Sequence, residues 1–130
     1  HDLDAAIPPL LVAHALTTRG LAFHQARQES AALADFAGAE RIFASHGDAG
    51  ANGLAAVKHN RGLVAIEQAK PDEALARFRE AAQLKQRLLP ADHPSTLVSE
   101  FMVARSVAQL GRLGEAVALQ RALLPRIEAK

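Results

Sequence analysis

The sequence predicts an all-α protein, an array of three antiparallel helix pairs, and three observations carry that prediction. Gly20, Ala32, Phe36 and Ala39 return 42 positions later as Gly62, Ala74, Phe78 and Ala81, and Ala116 extends the Ala74 series by the same step. Small residues and one aromatic at fixed offsets mark stacked helices rather than a compact enzyme core. Hydrophobic residues reach 49% while aromatics stay at 4%, with no Trp or Tyr. Much of that apolar content is alanine, which favours helix and lets helices approach closely. Finally, no segment sustains the period-two alternation of a strand.

Six helical segments follow in order. The first starts near Pro8-Pro9, where a first helical turn tolerates proline, and runs to about Arg27 with Leu16, Gly20 and Phe23 on one stripe. The second spans about Glu29 to Ser45 and turns Ala32, Phe36, Ala39 and Phe43 inward. His46-Gly47-Asp48-Ala49-Gly50 is the expected connection, with glycines available for a left-handed cap. The third helix covers about Asn52 to Ala69, and Lys70-Pro71-Asp72 turns the chain into the fourth, which ends near Leu89. Two prolines four apart, Pro90 and Pro94, make the clearest break. The fifth helix spans about Ser95 to Leu110, and Gly111-Arg112-Leu113-Gly114 leads into the sixth, from about Glu115 to Ala129. By length the 130 residues form a single domain, with repeats at about 9–50, 51–92 and 93–130.

Composition excludes several functions. With 15 Lys+Arg against 14 Asp+Glu, the net charge of +1 provides no attraction for nucleic acid, and no basic run interleaves with aromatics. No apolar run approaches the roughly 18 residues of a membrane span. Zero cysteines exclude disulfides and thiolate sites and fit a reducing, cytoplasmic setting. Nucleic acid and membrane are therefore not expected as partners.

Asn60-Arg61-Gly62-Leu63, Pro71-Asp72-Glu73-Ala74, Phe78 and Ala81 resemble the tetratricopeptide repeat. Gly20, Phe23, Ala32, Phe36 and Ala39 match it in the first copy, and Ala104, Gly111, Arg112, Glu115 and Ala116 in the third. The spacing exceeds the common ~34 residues and resembles the longer variant of kinesin light chains and bacterial regulators. His93-Pro94-Ser95-Thr96 is similar to the segment that often precedes a helix A in that variant. The resemblance implies a right-handed superhelix and a protein-interaction scaffold, expected to be a segment of a larger bacterial protein. Gln120 stands where Phe36 and Phe78 stand, and Leu123 where Ala39 and Ala81 stand, so the last helix is expected to pack with a shifted face. A last pair is normally protected by a capping helix, so further repeats or a second copy are expected to cover the sixth helix.

The resemblance also implies candidate sites. Arg19 replaces the usual leucine before the helix-A glycine, a variant that pairs with an acid before the helix-B aromatic. An Arg19–Asp35 ion pair is therefore expected. Arg61 faces Arg77 in the second copy and needs Glu40 or Glu80 instead. The A helices would line a concave peptide groove through His14, Thr17, Leu21 and His24, then His59, Asn60, Leu63, Ile66 and Glu67, then Val98, Phe101, Met102, Arg105 and Gln109. Asn60 corresponds to an asparagine that binds peptide backbone in long-repeat relatives. Leu21, Leu63, Ile66, Phe101 and Met102 make this face apolar, and the other reading is that they turn inward as core. The lysine-rich clamp for a terminal carboxylate is absent.

Chemistry finds little support. His14 and His24 lie about 15 Å apart along one helix axis, too far to share a metal, and no acid at i+3 or i+4 accompanies His59. No phosphate-cradling loop or Gly-x-Ser-x-Gly setting occurs. No catalysis, metal or cofactor is expected. The expected function is docking of a partner's helix or extended segment. The alternatives are a sensor that controls an attached kinase or transcription-factor domain, and self-association through the uncapped last helix.

Overall fold

A computed structural model describes residues 2–129 of the chain, with side chains from Pro8 onward. The helices are α1 (Asp2–Gln25), α2 (Glu29–Ala44), α3 (Gly47–Glu67), α4 (Pro71–Leu88), α5 (Pro94–Gln109) and α6 (Leu113–Glu128), and no strand occurs among the described residues. Each helix packs on the next, and α1 also touches α3. The fold is the helical array that the sequence predicts.

Two boundaries differ from expectation. Helix α1 begins before Pro8 and Pro9, which lie inside it. Proline's fixed φ suits a helix, and the cost falls on the two missing ladder donors. The expected connection His46–Gly50 is largely the first turn of α3. Only Gly47 uses a left-handed conformation there, with φ of 53°. Gly50 and Gly53 serve close approach instead: a β-carbon at either would collide with Phe43.

The core repeats with the sequence. A β-carbon on Gly20 would stand 2.6 Å from Phe36 Cε1, and one on Gly62 the same 2.6 Å from Phe78 Cε1. Both rings are fully buried. The third pair exchanges the partners' sizes, with buried Ala104 in the glycine's place and half-exposed Gln120 in the ring's. Leu123 is buried, and α6 is tied down by Arg126, which donates to Asp92 Oδ1 and Glu100 Oε2, both at 2.7 Å.

Every A helix ends in the same left-handed cap. The Gln28, Lys70 and Arg112 amides reach back to the carbonyls of Phe23, Ala65 and Val107, closing a Schellman turn in each repeat. The left-handed residues are Arg27 (φ 62°), Ala69 (φ 59°) and Gly111 (φ 85°), spaced by the repeat length. Only the third is glycine, and L residues are strained in this region. Ala69→Gly is therefore expected to stabilise the fold by about 0.5–1 kcal/mol, the relieved strain outweighing the added freedom of the unfolded chain. Urea unfolding checks this, and a lower midpoint would refute it.

Candidate interaction surface

Helices α1, α3 and α5 place the groove candidates in three environments. His14 is exposed but lays its ring edge-on to Phe43, with centroids 4.9 Å apart. The Thr17 hydroxyl is turned back to the Ala13 carbonyl at 2.8 Å. Leu21 and Leu63 are half-buried and pack against the first and second core clusters. Asn60 is half-buried, whereas Glu67, Val98, Phe101, Arg105 and Gln109 are exposed.

Ile66 and Met102 require a correction. They are only 9% and 6% exposed and belong to the core around Phe78. Ile66 lies four residues after Gly62, on the side of α3 that faces the aromatic ring. Met102 shares a helical stripe with buried Ser99 and Ser106, the side by which α5 packs on its neighbours. Neither residue can form the wall of an open groove.

The charged residues join helices. Arg19 Nε donates to Asp35 Oδ2 and its Nη2 to Asp35 Oδ1, both at 2.8 Å, a bidentate bridge between α1 and α2. The Asp35 carboxylate is buried, and the guanidinium holds its pKa below the ordinary carboxylate value. Arg19 remains largely in water and rests over Phe23. Arg61 pairs with Glu40 at 3.1 Å, while Glu80 is shared by Lys58 and Arg77.

His24 lies between two carboxylates from other helices. Its Nδ1 is 3.2 Å from Glu29 Oε2 and its Nε2 is 3.6 Å from Glu67 Oε1, at the carboxy-terminal ends of α1 and α3. One atom from each residue could ligate a common cation. Sequence spacing missed this cluster because its members come from three helices.

Near the middle of α3 lies a buried polar network. His59 Nδ1 is 2.9 Å from Ser99 Oγ, and Lys85 Nζ donates to the same oxygen at 2.8 Å. Burial, and secondarily Lys85, lower the His59 pKa to about 4. Its ring also stands edge-on to Phe78 at 5.1 Å, so His59 is a packing residue between α3, α4 and α5. Lys85 and Ser99 were not singled out from the sequence. The available signal was that Lys85 occupies the register of Phe43.

An apolar surface lies between α5 and α6. Phe101, Leu113, Val117 and Leu124, all substantially exposed, border a hollow of about 610 Å³. Arg105 and Arg121 stand at the same hollow.

Six paired helices with glycine–aromatic interlocks and an exposed apolar end define a helical-repeat scaffold. The family model for the tetratricopeptide repeat matches residues 53–129, more than half of the chain, and the chain belongs to that family. No curated protein matches it. The family generally mediates protein–protein interaction, and its domains are typically non-catalytic scaffolds. No helix among the described residues is long and apolar enough to cross a membrane.

Proposed function

We propose that this chain is a docking module that holds an amphipathic helix of a partner protein against α5 and α6. The observation that carries this reading is the hollow of about 610 Å³ with Phe101, Leu113, Val117 and Leu124 exposed around it. Contiguous apolar surface of this kind is what a helix-in-groove partner buries. An aromatic anchor such as Phe101 contributes affinity, and Arg105 and Arg121 favour acidic residues on the rim of the incoming helix.

The test is selection of helical peptides from a display library, followed by affinity measurement on Phe101→Glu. At 42% exposure, Phe101 can be changed without opening the core. Affinity is expected to fall at least about tenfold, the loss of one anchor, with the helical circular dichroism unchanged. Peptides indifferent to Phe101→Glu would refute the site. Leu63 is a poorer probe, because it packs on the Ile66–Phe78 cluster and its change would unsettle the fold.

Self-association is the second reading, favoured by exposed Leu11 (65%) and Val12 (51%) on α1, at the opposite end of the array. Head-to-tail stacking would cover both apolar ends at once. A mass that rises with concentration, and stops rising in Phe101→Glu, distinguishes it from docking of a foreign helix.

A further inference from the structure

The repeat register singles out a joint that changes its chemistry from one copy to the next. Between the first and second pairs, Phe43 fills the joint against Val57, with Gly53 making room for its ring. Forty-two residues on, the same three places hold Lys85, Ser99 and Ser95. Lys85 is only 8% exposed. Its ammonium donates to Ser99 Oγ at 2.8 Å and to the Ser95 carbonyl at 3.2 Å. An ammonium has three N–H donors, so one remains. No described carboxylate pairs with it.

A buried cation without a counter-charge is costly, and an apolar residue fits this position in the preceding repeat. The surroundings do not relieve it. Beside Lys85 opens a cavity of about 330 Å³ lined also by Asn52, His59, Asn60, His93 and Ser95. It adjoins the first turn of α5, the positive end of that helix's dipole. His93 already accepts the Ser95 amide at 3.0 Å. Burial lowers the pKa values of both Lys85 and His59, as expected where positive charge lacks a partner.

We propose that this cavity between α3 and α5 receives a single carboxylate, an Asp or Glu side chain of a bound protein segment, which pairs with Lys85 and accepts hydrogen bonds from Asn52 and Asn60. One ammonium and no arginine suit a monoanion, whereas a phosphate dianion would call for a second cation or a guanidinium fork. The side-chain origin of the carboxylate rests on the docking function proposed above, but the anion site does not.

Titration of the ¹⁵N-labelled protein with sodium acetate, against sodium chloride at equal ionic strength, tests the site by itself. Saturable shifts are expected at Ser95, Thr96, His59 and Lys85, and they are expected to vanish in Lys85→Met. Lys85→Met removes a buried unpaired charge, so its unfolding midpoint should equal or exceed the parent's, and without acetate its spectrum should differ from the parent's only around Lys85, His59, Ser95 and Ser99. Shifts that chloride reproduces, or that survive in Lys85→Met, overturn the site. In a second arm, the acidic residues of selected peptides are changed to their amides one at a time. One such change should weaken binding about tenfold to the parent and leave binding to Lys85→Met unaltered. Peptides that bind without needing an acid overturn the side-chain origin and leave docking standing. Saturable acetate binding with no peptide selected upholds the site and refutes docking.

Discussion

Replacing Phe78 by alanine is expected to destabilise the protein by about 3–5 kcal/mol, a large part of what holds a domain of this size together. Phe78 is fully buried and its ring presses on Gly62, so truncation leaves a cavity between α3 and α4 that backbone contact on one side prevents from closing. The reverse error is costly too. Gly62→Ala places a methyl 2.6 Å from the ring and should cost about 1–3 kcal/mol. The two positions are one steric unit, so their effects should not add. Gly62→Ala combined with Phe78→Leu should be more stable than the sum of the single losses predicts. The third repeat supports this, since it carries Ala104 where the ring is missing. Urea unfolding of the four variants checks the cycle. Additive losses would mean that the contact does not govern packing.

Acidification should weaken the fold through His59. Burial first, and Lys85 second, lower its pKa from 6.5 to about 4 in the folded chain. As pH falls below about 6.5, the unfolded chain takes up a proton that the folded protein refuses until about pH 4. The unfolded state therefore binds more protons in this window, and stability is lost as pH falls through it. The shift corresponds to a loss on the order of 3 kcal/mol by pH 4. Asp35 acts lower: its folded pKa lies below 3.8, chiefly through the Arg19 hydrogen bonds, so its contribution is lost as pH falls below that value. Comparing the unfolding free energy of the parent and His59→Asn from pH 7.5 to 4.5 isolates the histidine. The parent should show the steeper decline, and parallel curves would refute the assignment.

Much of the scaffold was legible because packing repeats. Gly20 with Phe36 and Gly62 with Phe78 interlock wherever a small residue must face a ring, and the 42-residue spacing exposes the pairing. Helix ends were less legible. Arg27 and Ala69 take the left-handed cap that only Gly111 advertises, because the Schellman hydrogen bonds impose the conformation whatever the side chain. Gly50 resembled a loop residue, although its reason for being small is the Phe43 backbone packed against it, as the Phe43 ring is the reason at Gly53.

The surface was less legible than the core. Ile66 and Met102 are apolar residues on helices with more than one covered side, and the sequence does not say which side a neighbour covers. Their burial was decided by how α4 and α5 close over α3. The His24 cluster likewise depends on α1, α2 and α3 meeting. By itself the sequence determined the class of fold and the helix succession, because these follow from local periodicity and breaker residues, while the family was legible through the resemblance of its packing residues. Only the tertiary structure decided that Lys85 lies buried without an acid and that Phe101 faces an open hollow, because burial and pairing are properties of the neighbours brought together by folding.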